Sequence, residues 1–430
     1  MGSWLATRLR GNTAALVGGF AARGLSVVLG FAVSYYVGNQ FGAVGSGQYA
    51  LLTQSGMLLS LLILAGTDFS IVKLCAAVEP GTRMISRASL ARLFGSVVAV
   101  NSLLMLMLVL LPTDWTLGLI GLTPGLAEFA ILGMIMLTRS LTRLTAAFLR
   151  SQGENIVSQI VELLFIPALV LIAIAAVPLT SVTQVLQITV AAGLLAALLG
   201  LGRAFMHSRS GPGTLGFGIG ELVHMGIPVW GLGVALNFAD WYSLATVSIH
   251  SGVDDAGIFR IAMQIGTILL FGVSGLLAVF SAQVARANHN ADHARIGRLC
   301  RNAAMLNLLL VAPAALILFF VAPQILAFVG PEFVAGTATL RILLGGQLAY
   351  AVLAPAGQAL AMMGHARINL MIVLVTTAIF LVAAPLMAQR LGAEGVALAM
   401  VAFLLSRNLL SFYWLLRATG INGLTGQLRV

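Results

Sequence analysis

Apolar runs long enough to cross a bilayer follow one another along almost the whole chain, parted by short polar breaks. A membrane-spanning helix needs about 20 apolar residues. By that measure the runs predict twelve helices, over residues 12–37, 46–72, 88–112, 126–149, 155–177, 183–205, 217–248, 256–284, 299–322, 334–363, 367–389 and 394–417. The breaks carry turn chemistry, as at Glu79-Pro80-Gly81, Gly211-Pro212-Gly213 and Gly330-Pro331.

The pattern also repeats at an offset of about 210 residues. Residues 42–56 align with 252–266, pairing Gly42 with Gly252, Gly47 with Gly257, Tyr49 with Phe259, Gln54 with Gln264 and Gly56 with Gly266. Leu149…Gly153 echoes Leu360…Gly364 at the matching place in the second half. Six helices per repeat is an even number, so both halves start on the same side and are parallel. The expected fold is all-α and polytopic, with two parallel six-helix bundles around a central cavity. The expected division is 1–207, a cytoplasmic linker at 208–216, and 217–430.

Composition supports a lipid solvent. Of 430 residues, 60% are hydrophobic and 8% charged, with a mean hydropathy of +1.03. Soluble proteins carry roughly 25% charged residues. The first apolar stretch outruns a signal-peptide core, so it is kept as the first helix. Cys75 and Cys300 fall where a cytoplasmic face is expected, so no disulfide framework is anticipated.

Charge sets the orientation. With the N-terminus inside, sixteen basic residues, from Arg8 and Arg10 through Lys73, Arg83, Arg87 and Arg209 to Arg429, fall at cytoplasmic ends or loops, and Arg390 alone falls outside. The outer loops carry Asp114, Asp254, Asp255, Glu332 and Glu394. The expectation is an inner-membrane protein with both termini cytoplasmic. The net charge of +10 is mostly this bias and gives no reason to expect nucleic acid. Membrane lipids are the expected surroundings, and the connector 76–92 reads as a cytoplasmic segment against the anionic inner leaflet.

Ionisable groups within spans are costly, roughly 2.5–3.5 kcal/mol each, and mark candidate functional positions. Six arginines fall there (Arg23, Arg139, Arg143, Arg260, Arg341 and Arg407) against three acids, Asp68, Glu162 and Asp240. The cationic excess suggests anionic cargo. Arg139 and Arg143 share a helix face at i, i+4, and Arg150 returns to it near the cytoplasm. Forked guanidiniums suit phosphate oxygens, so this ladder reads as a track for a phosphate or diphosphate. The competing reading has Arg143 and Arg150 reaching the headgroups while Arg139 pairs with an acid. Arg23 either faces a cavity or pairs with Asp68. Arg260 and Arg341, a turn from the outer surface, suit headgroup contact as well as substrate. Arg407 is a cavity residue or a partner of Asp240 or Glu162. Pro228 removes a backbone hydrogen bond and marks a hinge. Trp230, Asn237 and Trp241 share a face that suits sugar rings, although Trp241 and Tyr242 also suit an interfacial aromatic belt.

No enzyme motif stands out. The histidines show no metal-ligand spacing, no P-loop is present, and Asp254-Asp255 reads as a helix N-terminal cap before a metal pair. No catalytic residue, metal or cofactor is expected.

Several segments resemble the oligosaccharide flippases, the Wzx-type polysaccharide transporters. They are Phe41-Gly42…Gly47-Gln48-Tyr49-Ala50 with Leu64-Ala65-Gly66 and Lys73, then Leu149-Arg150-Ser151-Gln152-Gly153, the Pro228 helix, and Ala256-Gly257-Ile258-Phe259-Arg260-Ile261-Ala262. That family sits in the superfamily of multidrug/toxin extruders and lipid II flippases. The resemblance implies two six-helix lobes and alternating access. It also implies transbilayer movement of undecaprenyl-diphosphate-linked glycan units for cell-surface polysaccharide, by a monomer, with proton or sodium coupling left open. Cationic family cavities agree with Arg23, Arg139 and Arg143. The chain departs from the family at Val37-Gly38-Asn39-Gln40, where many members carry an arginine. Three other readings stay open: a cation-coupled multidrug antiporter using Asp68 and Asp240; a lipid II flippase, which would be expected to carry two extra helices; and a membrane glycan polymerase or glycosyltransferase, for which little extramembrane chain remains.

Overall fold

The computed structural model describes residues 2–76, 85–110, 118, 121–122, 126–208, 216–425 and 427. The turns at Glu79-Pro80-Gly81 and Gly211-Pro212-Gly213, residues 77–84 of the 76–92 connector and 209–215 of the 208–216 linker, and Arg83, Asp114, Arg209 and Arg429 lie outside them, as do the side chains of Arg8, Arg10 and Pro228.

The described chain is helical: α1 (Gly2–Leu64), α2 (Thr67–Ala76), α3 (Arg87–Leu110), α4 (Leu126–Ser151), α5 (Asn155–Ala176), α6 (Val182–Met206), α7 (Ile219–Ser251), α8 (Val253–Ile268), α9 (Leu270–His289), α10 (His293–Val329), α11 (Thr337–Met362) and α12 (Ala366–Thr419). Among the described residues nine helices are long and apolar enough to cross a membrane. Two of these are too long for one crossing. Ala21–Leu64 has 44 residues and Arg367–Thr419 has 53. At about 1.5 Å per residue each is at least twice the bilayer core of about 30 Å. Both are broken by a glycine of positive φ, Gly42 at 70° and Gly392 at 56°. Side-chain-bearing residues rarely adopt that backbone, so each break divides one helix into two spans. With α7, whose parts Ile219–Ile227 and Val229–Ser251 meet at 63°, the described residues supply twelve spanning segments. The protein is a multi-pass membrane protein.

Three predicted helices are less regular than their hydropathy. The 46–72 helix breaks where Ala65 and Gly66 take positive φ, 44° and 81°. The 155–177 helix contains a π turn at Ile160–Leu164. The 256–284 helix divides between α8 and α9 at Leu269. Apolar composition is blind to all three, because it reports solvent and not backbone hydrogen-bond register.

The chain forms two compact units: Met1–Phe41 with Gln48–Trp241, and Gly42–Gly47 with Tyr242–Val430. The boundary between these units falls inside α7, between Trp241 and Tyr242. Most of α7 groups with the first unit because its backbone packs there. A Cβ on Gly226 would lie 2.3 Å from the Gly66 carbonyl oxygen, and one on Gly66 would lie 2.7 Å from the Gly226 carbonyl. Only paired glycines permit that approach.

Within the first unit, α4 is the central element. Leu144, Phe148 and Leu149 are fully buried beside Ile71 of α2 and Leu90 of α3. Gly193 and Gly200 of α6 face Thr138 and Thr145 of α4, where a Cβ would approach to 2.8 and 2.6 Å. Small residues at this spacing let membrane helices close on one another without a hydrophobic drive.

Within the second unit, Asn307 of α10 donates Nδ2 to the Ala351 carbonyl of α11 at 2.8 Å, fully buried. The segment Gly42–Gly47 is held by Glu332, whose Oε1 accepts from the Ala43 amide at 2.7 Å. It also meets the start of α8 reciprocally. A Cβ on Gly47 would strike the Val253 carbonyl, and one on Gly257 would strike the Ala43 carbonyl. These are offset pairs, since 43 and 253, like 47 and 257, lie 210 apart. The glycines of the second echo also share a backbone conformation, Gly153 at φ 88° and Gly364 at 90°.

Candidate functional site

Five charged residues of the first unit's spans, Asp68, Arg139, Arg143, Arg150 and Glu162, lie on α2, α4 and α5, while Arg23 lies on α1 and Asp240 on α7. The Ala65–Gly66 break starts α2 afresh at Thr67, with Asp68 in its first turn. A carboxylate is favoured there by the unsatisfied amides of a helix N-terminus. Asp68 is buried and accepts from Arg143 Nε at 2.6 Å. The same guanidinium stands 5.7 Å from the centre of the Phe69 ring. Arg150 donates Nη1 to Glu162. Glu162 lies inside the π turn of α5, a feature that recurs at functional sites. Arg139, one turn before Arg143 on α4, is half-buried, with Tyr49 and Glu162 as the ionisable groups acting on it.

The arginine ladder is thus a mixed-charge cluster. Three guanidiniums meet two carboxylates, which leaves one positive charge in excess. Asp68 is bound by Arg143 and not by Arg23, which is exposed. A lone cation or anion would be expensive inside the membrane. Here each carboxylate holds one guanidinium, and the remaining charge rests on Arg139.

The sugar-suited face of α7 is turned to its own unit. Trp230 donates its indole N–H to the Leu61 carbonyl at 2.7 Å. The helix break explains that bond. The Ala65 amide turns back to Leu62, so Leu61 loses its regular helical partner and the indole replaces it. Trp241 donates to Ser55 Oγ at 2.9 Å, and its ring lies 5.4 Å from that of Phe238, tilted by 40°. Asn237 donates to the Gly233 carbonyl one turn back. Asp240 is half-buried on the same helix. The bend of α7 flanks Pro228.

The second unit holds its arginines differently. Arg407 lies 5.8 Å from the ring of Tyr350 and 5.7 Å from that of Phe403. Arg341 lies 4.9 Å from the ring of Phe319. Arg260 is half-buried on α8. Asp254 and Asp255 occupy the first turn of α8, and among the described residues no group of His, Cys, Asp and Glu is placed to hold a metal.

Sequence reading missed one ionic group. Glu154, in the turn before α5, binds Arg203 through both carboxylate oxygens at 2.7 and 3.0 Å, with His207 at 3.1 Å. The Arg203 hydrogen bond holds its carboxyl below the usual range, against a smaller opposing effect of burial. It also missed Ser70, which donates to the Leu222 carbonyl at 2.5 Å and closes α2 on α7. Gly66 followed by an acid and a serine was the available signal.

Solved transporters of the multidrug/oligosaccharidyl-lipid/polysaccharide (MOP) superfamily share this fold. An inward-facing multidrug resistance MATE transporter of the MOP superfamily aligns with a TM-score of 0.69 at 13% identity, over 91% of this chain and 94% of that one. The lipid II flippase MurJ, inward closed, aligns at 0.64 and 12%, over 92% and 86%. A MOP transporter from Pyrococcus furiosus, described by a binding pocket of reversed polarity, aligns at 0.58 and 13%, over 94% and 95%. At the sequence level no family model and no curated protein matches.

Proposed function

We propose that the chain is a flippase that moves undecaprenyl-diphosphate-linked oligosaccharide units across the inner membrane by alternating access, with both termini cytoplasmic. The cationic excess on α4 carries this reading. Arg139, Arg143 and Arg150 line one helix, and two acids do not neutralise them. A diphosphate headgroup in this cluster would find in Arg139 a guanidinium with no carboxylate bonded to it among the described residues, and would compete for the other two. The Pro228 bend of α7 is the hinge in this scheme, and Arg23, Arg260, Arg407, Asn237 and Trp241 are further substrate contacts. The two repeats act as the moving bodies, as in transporters built from parallel repeats. The Pyrococcus furiosus transporter is a precedent in name for one fold with pockets of different polarity.

The test is transport of a fluorescent lipid-diphosphate-sugar in liposomes. Arg139→Gln should abolish transport while the protein elutes and melts as wild type. Arg143 is a poorer probe, because its loss also strands Asp68. Undiminished transport by Arg139→Gln would sink the assignment.

A second reading, cation-coupled multidrug export, is favoured by the likeness to the multidrug MATE transporter. It requires proton-driven efflux of a cationic dye that Asp240→Asn removes. Dye efflux without lipid movement would replace the first reading.

A further inference from the structure

We infer that the groove between α10 and α11 is a binding site for one anionic phospholipid, with its phosphate on Arg341 and an acyl chain along the groove. The cavity there measures about 600 Å³ and is walled by Leu308, Ala312, Leu316, Leu344 and Leu348, with Arg341 at one end. From Phe319 to Leu308 it follows α10 for about 16 Å, running from near the start of α11 toward the middle of the bilayer. The surrounding helix is lipid-facing, since only 22% of the apolar stretch of α10 is buried.

Two features make this a shaped site and not ordinary lipid-facing surface. The first is a fixed cation. Pro323 has no N–H to return to the Phe319 carbonyl, four residues before it. Arg341 Nε donates to that carbonyl at 3.1 Å, and the guanidinium lies over the Phe319 ring. This docks the side chain against the groove, whereas a free arginine would extend to the headgroup layer. Its remaining N–H groups have no carboxylate partner among the described residues. The second is room. A Cβ built on Gly345 meets nothing within 4 Å, so the groove floor is open. At Gly133 of α4 in the first unit, by contrast, a Cβ would collide with Met105. A guanidinium at the head of an apolar channel fits an amphiphile with a phosphate above and a chain below. A phosphate without a chain would leave the channel unfilled, and a zwitterionic lipid would add a repelled ammonium.

The test uses full-length protein in phosphatidylcholine nanodiscs. These carry a small fraction of phosphatidylglycerol bearing a diazirine on its acyl chain, or the matching phosphatidylcholine probe, and adducts are mapped by mass spectrometry. The phosphatidylglycerol probe should label the peptides spanning 308–319 and 341–348 on the order of fivefold above phosphatidylcholine, the effect of one cation beside an anionic lipid. Arg341→Gln should remove the preference, and Arg341→Lys should retain part of it. Gly345→Leu, whose side chain enters open space, should block labelling by both probes while leaving the fold intact, so the proposal is tested even if Arg341→Gln does not fold. Equal labelling by both probes, or labelling indifferent to Arg341→Gln and Gly345→Leu, would overturn it. Displacement of phosphatidylglycerol by equimolar polyprenyl diphosphate would also overturn it, by assigning the groove to that lipid.

Discussion

The two units solve the same problem, a guanidinium inside a membrane, in different ways. The first gives Arg143 and Arg150 a carboxylate each. The second lays Arg341 and Arg407 on aromatic rings. An ion pair fixes both partners and makes each hostage to the other, because removing one strands a buried charge. A ring cannot be stranded. Stacking stabilises less, and Arg341, which has no carboxylate partner among the described residues, keeps its charge available to an outside anion. The contrast in glycines runs in parallel. Gly66 is clamped backbone to backbone on Gly226, whereas Gly345 faces empty space. The first unit is closed around its charges, and the second keeps room beside one of its own.

The contrast can be broken in order of expected effect. Asp68→Asn should cost about 3–5 kcal/mol, because Arg143 stays in place without its acid. The double variant Asp68→Asn with Arg143→Gln should recover most of that loss in a detergent thermal-unfolding assay. Equal melting of the single and double variants would mean that the pair is not coupled. Gly66→Ala should cost about 2–3 kcal/mol, from positive φ and collision with Gly226. Gly345→Ala should be neutral or stabilise by up to about 1 kcal/mol through helix propensity. Similar losses at both glycines would erase the distinction. Arg341→Gln should cost only about 1–2 kcal/mol, from one cation–π contact and one hydrogen bond to the Phe319 carbonyl at a partly exposed site.

The smallest effect is a pH dependence at Glu154. Its folded-state pKa lies below the unfolded value. Its contribution is therefore fully present above the ordinary carboxylate range and is lost as pH falls through the lowered folded value. Glu154→Gln should flatten that acid limb slightly. An unchanged limb would mean that the pair with Arg203 is solvent-screened and contributes nothing.

Much of this was legible in the sequence, for physical reasons. Lipid as solvent imposes length and apolarity on every span, so the helices could be read from hydropathy alone. The reversal near Gly42 was legible because the apolar runs 12–37 and 46–72 leave a break around it. The ladder on α4 was legible as a shared face, since i, i+4 spacing fixes it. Its partners were not. Which acid meets which arginine depends on the π turn that rotates Glu162 and on the break that puts Asp68 at a helix start. Neither departure changes composition. The close approach of Gly226 to Gly66 was hidden for the same reason, because it changes no polar break in the chain.

The reciprocal contact of Gly47 with Val253 and of Gly257 with Ala43 has a consequence for how the gene can vary. Each glycine is the socket for the other repeat's backbone, so a side chain at either position wedges apart the same crossing. The two codons, 210 apart, are bound to a common fate. In a saturation scan their tolerance profiles should superimpose, and relief of a Gly47 substitution should be sought around residues 253–257 before anywhere nearer in the chain.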